Sequence, residues 1–216
     1  MLFRSERIVV ATDDEGIAQV VRGFGGEVCM TSAALNSGTD RVAEAAGLLG
    51  LDPENIVVNV QGDEPDMPGK LIDQVVEALT SNDTAKIATA SCVLDEPAQY
   101  SDPSVVKVVT DHQGFGIYFS RAPIPYARGD ESTPADRVPW QLTRRHIGIY
   151  AYRVGYLQSF AQTPPCILET TEKLEQLRAL WLGDKIIVTE AREAPSVGVD
   201  TVSDLELAIR RFSSAS

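Results

Sequence analysis

Two aspartates stand in similar local sequence, each next to the expected end of a strand. Asp63 follows the apolar run "NIVVNV" within "QGDEP", and Asp200 lies in "GVDT" ahead of a helical pattern. Ligands of open α/β sheets bind outside the carboxyl ends of the strands. Two carboxylates on separate loops offer oxygen ligands to Mg²⁺, which keeps water and phosphate oxygens as its other ligands. The pair therefore predicts a magnesium site, although turn and helix-capping roles would explain each residue separately.

The first half of the chain alternates short strand patterns with helical patterns. The strand patterns are "RIVVATD", "EVCMT" and "NIVVNVQGD", and the helical patterns are "EGIAQVVRGFG", "GTDRVAEAAGLLG" with Thr39 as N-cap, and "GKLIDQVVEALTSN". Such alternation predicts βαβ units and a parallel sheet.

The second half changes character, because strand patterns follow one another without helices between them. These strands are "KIATASCVL", "VVKVVTDHQGFGIYFSR" and "RRHIGIYAYRV", followed by one helix, "TTEKLEQLRALWLG", and a closing strand, "KIIVTEARE". The polar, proline-bearing segment 128–140 predicts a mobile loop. We therefore expect a single α/β domain over residues 1–216, with a Rossmann-like, mostly parallel sheet flanked by helices and an antiparallel extension.

Composition excludes several classes of partner. The chain carries 31 acidic and 19 basic residues, a net charge of −12, which disfavours binding to nucleic acid or to an anionic membrane. Its three cysteines are far apart, and no apolar run is long enough to span a membrane. We expect a cytoplasmic protein without a disulfide framework or a zinc cluster.

Nine segments together resemble one family. They are "RIVVATDDE", "GGEVCMT", "SGTDRVAEA", "VVNVQGDEP", "VVKVV", "IYFSRAPIPY", "RRHIGIYAYR", "EKLEQLRALW" and "GVDTVSDLE", in this order. In this combination the chain is similar to the CMP-KDO synthetases, the 3-deoxy-manno-octulosonate cytidylyltransferases. The resemblance implies Mg²⁺-dependent transfer of CMP from CTP to KDO, with release of pyrophosphate, for lipopolysaccharide biosynthesis. It also implies a homodimer.

The resemblance also implies roles for individual residues. Asp63 and Asp200 match the catalytic metal ligands of the family. The nucleotide would be held by Ser37, Gly38, Thr39, Arg41 and Gln61. The sugar acid would be bound by Arg121, His146, Tyr150, Glu175 and Gln176.

Three of these residues also have plain structural explanations. Tyr150 lies in an alternating strand and could pack in the core. Glu175 could pair with Arg178 on a solvated helix face. His146, beside two arginines, could be an ordinary surface residue.

The chain departs from the family pattern at its start. Family members open with a strand and a loop of the type "IPARYxSTRLPGKPL", which wraps the triphosphate, whereas here only "MLFRSE" precedes "RIVVATD". We expect that one βα unit is missing and that "RIVVATD" and "NIVVNVQGD" lack their common neighbour. Leu35 also replaces a histidine of the family. Two alternatives stay open: an inactive fragment that retains sugar binding, and a cytidylyltransferase for another sugar acid such as sialic acid.

Overall fold

The computed structural model describes residues 7–35, 37–126, 143–195, 198–199 and 201–214, so the expected loop at 128–140 lies outside the described residues. The described strands are β1 Val9–Thr12, β2 Glu27–Met30, β3 Ile56–Asn59, β4 Ala85–Val93, β5 Lys107–Thr110, β6 Gly116–Ser120, β7 Arg144–Arg153 and β8 Lys185–Glu190. The described helices are α1 Glu15–Gly23, α2 Gly38–Leu48, α3 Gly69–Thr80, α4 Ala98–Ser101, α5 Val154–Ala161, α6 Ile167–Glu172, α7 Gln176–Trp181 and α8 Val202–Ser214.

The strands form a mixed sheet and a separate parallel pair. The order of the larger sheet is β6-β5-β7-β4-β8, with β3 also paired to β7, while β1 pairs with β2. Strands β4 and β8 run parallel, as do β1 and β2, and β7 runs antiparallel to β3, β4 and β5. The α/β class and the antiparallel extension are confirmed.

The position of β7 differs from the expectation that β3 would belong to a parallel sheet, because β3 pairs with β7 in antiparallel orientation. This strand of ten residues lies between β3 and β4 and pairs with both. Strand β4 is buried along most of its length, as a strand between two neighbours must be. Among the described strands β1 pairs with β2 only, and no pairing joins it to β3. The expectation that one βα unit is missing stays a prediction.

Two apolar cores cover the two faces of the main sheet. On one face Leu71, Val75 and Leu79 of α3 pack against alternate residues of β4 and β7. On the other face Leu157 of α5 and Leu177 of α7 belong to a second buried cluster. Side chains alternate along each strand, so the residues between those facing α3 point to this second face. No helix in the described part of the chain is long and apolar enough to cross a membrane.

The segment expected to be one helix, "TTEKLEQLRALWLG", is broken in two. Helix α6 ends at Glu172, Lys173 takes a left-handed backbone conformation with φ of 57°, and α7 begins at Gln176. Buried contacts stabilise the break. Arg178 forms an ion pair with Glu169 and donates to the carbonyl oxygens of Phe160 and Thr163. The prediction of a continuous helix was wrong, because these tertiary contacts outweigh local propensity.

Candidate functional site

The candidate site is built on one row of side chains across three strands. Asn59 of β3 lies opposite Tyr150 of β7, which lies opposite Thr89 of β4 on its other side. Cross-strand partners share a face of a sheet, so the three side chains stand on the same side. This is the face against which α5 and α7 pack. The row therefore forms a polar floor within an otherwise apolar layer.

The start of α2 borders this floor. Ser37 is the N-cap of α2, and its hydroxyl accepts a hydrogen bond of 3.1 Å from the Asp40 amide. The expected cap, Thr39, is wrong: its side chain is buried and its hydroxyl instead donates to the Glu175 carboxylate. The cap therefore lies at the first residue of "SGTDR", and the threonine joins the helix start to the α6–α7 turn.

Gly38 allows Gln61 to approach the first turn of α2. A methyl group added to Gly38 would lie 3.4 Å from Gln61 Oε1 and 3.9 Å from Asn59 Nδ2. A methyl group on Gly148 of β7 would likewise lie 3.9 Å from Gln61 Cγ. The amide of Gln61 thus sits between two glycines, in space that a larger residue at Gly38 would take up.

Arg41 points towards the end of β1 rather than into the row. Its Nη2 lies 3.2 Å from the Asp13 carboxylate, and its Nη1 donates to Thr31 Oγ1 at 2.6 Å. These contacts fix the guanidinium beside the carboxyl ends of β1 and β2. The structure therefore places Arg41 next to the two-stranded sheet, apart from the sugar-site candidates.

His146 and Tyr150 lie together on the floor. Their ring centroids are 5.4 Å apart, and Phe119 meets the histidine edge-on at 5.1 Å. Thr89 Oγ1 lies 2.9 Å from His146 Nε2 and donates to the Ile149 carbonyl at 2.7 Å. Burial, and to a smaller extent the Arg145 charge, lowers the pKa of His146 to about 3, so the ring is neutral at pH 7. His146 is therefore not an ordinary surface histidine.

Tyr150 and Glu175 are electrostatically linked. Burial is the main cause that raises the pKa of Tyr150 well above its ordinary value, and the charges of Tyr152 and Glu175 raise it further. Arg178 forms its ion pair with Glu169, so the suggested Glu175–Arg178 pair on a solvated face is not what the structure shows. Glu175 instead faces Thr39. The tyrosine stays a neutral phenol, able to donate and accept hydrogen bonds.

Gln176 follows Glu175 directly and is 5% exposed. Within the described residues its Nε2 has no hydrogen-bond partner, and the same holds for Asn59 Nδ2. Buried amide groups are usually paired. Sequence reasoning did not single out Asn59, since an asparagine at the end of a strand carries no signal of its own.

Arg121 is held at the edge of the site by main-chain groups. Its Nε donates to the Glu172 carbonyl at 2.8 Å and its Nη1 to the Pro103 carbonyl at 3.0 Å. Lys107, fully buried, donates to the Arg121 carbonyl at 2.6 Å and to those of Asp102 and Val105. Sequence reasoning also missed this lysine, because "VVKVV" gives no sign that the ammonium group is enclosed. Among the described residues, nothing engages Arg121 Nη2.

Asp63 lies on the exposed loop that follows β3. Its main-chain carbonyl accepts a hydrogen bond of 2.7 Å from the amide of Val199, the residue before Asp200. Asp200 itself lies outside the described residues, so its distance from Asp63 stays a prediction. Among the described residues no group of three or more acidic, histidine or cysteine side chains could hold a metal. A metal site here would therefore depend on the two aspartates, water and substrate oxygens.

Comparison with known proteins identifies the family. The sequence model described as "Cytidylyltransferase" matches residues 3–186. The 3-deoxy-manno-octulosonate cytidylyltransferase of Pseudomonas syringae pv. syringae (strain B728a) is 51% identical over 203 residues, which are 94% of this chain and 80% of the relative. The chain belongs to the 3-deoxy-manno-octulosonate cytidylyltransferase family.

A second relative and two solved structures are also similar to this chain, the last of them in fold alone. The 3-deoxy-manno-octulosonate cytidylyltransferase of Pasteurella multocida (strain Pm70) is 48% identical over 209 residues, covering 94% of this chain and 81% of the relative. A solved CMP:2-keto-3-deoxy-manno-octonic acid synthetase in complex with CTP superposes with a TM-score of 0.85 and 35% identity, over 97% of this chain and 82% of that one. The 4-diphosphocytidyl-2C-methyl-D-erythritol synthase of Anaerococcus prevotii shares the fold at a TM-score of 0.55 and 13% identity, covering 96% of this chain and 82% of that one.

Proposed function

We propose that this chain transfers CMP from CTP to 3-deoxy-D-manno-octulosonate (KDO), the activated sugar acid then serving lipopolysaccharide biosynthesis. In this reaction the anomeric hydroxyl oxygen of KDO bonds to the α-phosphorus of CTP. The bond to the bridging oxygen of the β-phosphate breaks, pyrophosphate leaves, and the hydroxyl proton is released. The observation that supports the proposal most is the identity of about half over four-fifths of the relatives' length. The polar floor formed by Asn59, Tyr150 and Thr89 is consistent with it.

The start of α2 and the end of β3 are proposed to bind the cytidine nucleotide. Ser37, Gly38, Thr39 and Arg41 lie on or beside the first turn of α2, and Gln61, two residues past β3, lies next to that turn. Main-chain amide groups at a helix start favour an anionic or acceptor-rich ligand. Gly38 and the Gln61 amide lie side by side, so both can border one ligand.

Asp63 and Asp200 are proposed to hold Mg²⁺. The Asp63 carboxylate is exposed on a loop and has no described protein partner, which fits a ligand for a hard cation that also keeps water molecules. When bound, the ion would supply positive charge to phosphate oxygens and lower the pKa of a coordinated hydroxyl. The chain's own described contribution is to hold the Asp63 loop against Val199, the residue before Asp200.

The opposite end of the floor is proposed to bind the sugar acid. Arg121 offers a guanidinium for the carboxylate, a pairing that two parallel hydrogen bonds can make specific. His146, Tyr150, Glu175 and Gln176 offer neutral donors, acceptors and one carboxylate to the hydroxyl groups. Because His146 is neutral, it can accept or donate without repelling Arg121. The shared polar layer explains how residues far apart in sequence could serve one ligand.

Product formation is the direct test. We expect pyrophosphate release and CMP-KDO formation with CTP, KDO and Mg²⁺, and loss of both when a chelator is added. A panel that replaces KDO with sialic acid separates the two sugar acids. Binding of KDO without turnover would instead support the alternative of an inactive fragment that retains sugar binding.

We also propose that the chain forms a homodimer through the surface of α6 and α7. Ile167, the first residue of α6, is 64% exposed, and Trp181 and Leu182 at the end of α7 are 58% and 49% exposed. Such residues favour burial against a partner. Light scattering should give twice the chain mass, and Trp181→Glu should give a monomer.

A further inference from the structure

Buried side-chain amides in this protein fall into two classes. Gln74, on α3, is 9% exposed, donates from Nε2 to the Glu190 carbonyl at 3.2 Å and accepts from the Arg192 amide at 3.1 Å. Asn59 is 5% exposed, yet its Nδ2 has no partner among the described residues. A buried donor without a partner is unfavourable, so a group in this position needs an acceptor from elsewhere. The unmatched group is a donor, which limits its partner to an acceptor oxygen or nitrogen.

The Asn59 side chain faces the candidate site. It shares a row with Tyr150 and Thr89, and Thr89 in turn contacts His146. A methyl group added to Gly38, the first residue of α2, would lie 3.9 Å from Asn59 Nδ2, so this nitrogen lies beside the start of the helix. The amide therefore lies deep on the floor, at the boundary between the two proposed substrate regions.

A second unmatched donor lies on the same side of the sheet. Gln176 Nε2 belongs to the residue after Glu175, whose carboxylate accepts from Thr39, the neighbour of Gly38. Two buried donors without partners among the described residues call for a ligand rich in acceptor oxygens. Tyr150, between Asn59 and Thr89 in the row, is a residue proposed for the sugar acid. A polyol acid presents several oxygens in a small volume, which suits donors spread over one floor.

We propose that Asn59 is a further substrate-binding residue and that its Nδ2 donates a hydrogen bond to an oxygen of the sugar acid. The inference rests on the proposed function, since it names the sugar acid as the ligand. It assigns a role to β3 and to the segment after it: Asn59, the last residue of β3, contacts the sugar acid, and Gln61, two residues past the strand, borders the nucleotide.

Two substitutions test the contact. Asn59→Leu keeps the shape and removes the polar group, and Asn59→Asp keeps the shape and replaces the donor by a carboxylate that repels an acid. We expect the KM for KDO to rise roughly tenfold or more for each, as the loss of one good hydrogen bond implies. The KM for CTP should stay within about twofold, because the nucleotide does not use this donor. Without ligand, Asn59→Leu should have an unchanged or higher Tm, because it removes an unpaired buried donor.

Gln74→Leu is the matched control. It removes a buried amide whose partners are both in place, so its Tm should fall while both KM values stay unchanged. The proposal is overturned if Asn59→Leu behaves like Gln74→Leu, or if neither Asn59 variant changes the KM for KDO. It is also overturned if only the KM for CTP rises, which would place the donor in the nucleotide site. Failure of the unsubstituted chain to use KDO would refute the proposed function itself, and the sugar-acid contact with it.

Discussion

The two ends of the candidate site are held in different ways. The end proposed for the sugar acid is built on β4, β5, β7 and the α6–α7 turn, where buried groups such as Thr89 and Lys107 have hydrogen-bond partners. The end proposed for the metal depends on Asp63, an exposed residue on a loop. A fixed polar floor can discriminate among the hydroxyl groups of a polyol. An exposed carboxylate can exchange its water for a cation, which in turn binds phosphate oxygens. This exchange requires little change in the stability of the fold.

This difference predicts how substitutions at the two ends should behave. A change at the exposed end should alter the rate and leave the free energy of unfolding almost unchanged. A change to a hydrogen-bonded group at the buried end should alter both stability and substrate binding, because the same contacts hold the fold and orient the site. The following variants test that contrast.

Asp63→Asn should have the largest effect on the rate. It removes a negative charge proposed to bind Mg²⁺, so we expect kcat to fall by about a hundredfold to a thousandfold, the range for loss of one charge-stabilising group. Because Asp63 is exposed, the Tm of the variant should change by less than about 2 °C, the shift that a typical surface substitution gives in a chain of this size. Pyrophosphate release and thermal unfolding measure the two quantities. Asp66→Asn, on the same loop but paired with Arg211, is the control and should keep its activity.

Lys107→Met should give the largest loss of stability. Its ammonium group donates to three carbonyl oxygens, at 2.8, 2.5 and 2.6 Å, and burial lowers the pKa of this lysine. Removing the donor leaves buried acceptors unpaired, which should lower the free energy of unfolding by about 3 kcal/mol or more. The KM for KDO should also rise, since the main chain of Arg121 is released.

Urea unfolding and steady-state kinetics measure these two effects of Lys107→Met. The control is Lys185→Met, in which an ammonium group 4.9 Å from the centre of the Phe115 ring is lost from an exposed residue. That variant should lose less than about 1 kcal/mol, the usual value of an exposed cation–π contact. Equal losses for the two lysines would contradict the role given to Lys107.

His146→Gln should change the pH dependence of stability. The pKa of His146 in the folded chain is about 3, below the ordinary value near 6.5, so the unfolded state binds a proton that the folded state does not. The unsubstituted chain therefore loses stability as the pH falls from about 6.5 towards 3, by up to about 1.4 kcal/mol per pH unit from this group. The loss between pH 7 and 5 should be smaller in His146→Gln. His112→Gln, at an exposed histidine, should keep the full loss.

Much of the fold and of the site could be predicted from the sequence, for identifiable reasons. The alternation of strand and helix patterns gave the α/β class, and the motif "QGDEP" placed Asp63 just beyond a strand. What the pattern could not give was the place of β7 between β3 and β4, which depends on pairing between distant segments. The contact between Thr39 and Glu175 was equally hidden, because a threonine near a helix start carries the same signal as a cap.

The break between α6 and α7 also could not be predicted from the sequence. A glycine at the break would have marked a helix end, but the residue there is Lys173, a good helix former. Its left-handed conformation follows from buried contacts on both sides, such as the Glu169–Arg178 pair. Local signals therefore favoured a continuous helix, although the site needs the turn that carries Glu175.

Lys173→Gly should give the smallest effect, and it should be stabilising. A left-handed conformation costs a side-chain-bearing residue about 1–2 kcal/mol, which glycine avoids. The greater freedom of glycine in the unfolded chain offsets about 0.5–1 kcal/mol of that gain. We therefore expect the free energy of unfolding to rise by about 0.5 kcal/mol, with the KM for KDO unchanged because Glu175 keeps its place.

Lys70→Gly, at an exposed position of α3, is the matched control and should lose about 1 kcal/mol, since its backbone is helical. Destabilisation of similar size in both variants would mean that the left-handed backbone conformation of Lys173 costs no free energy that glycine could remove.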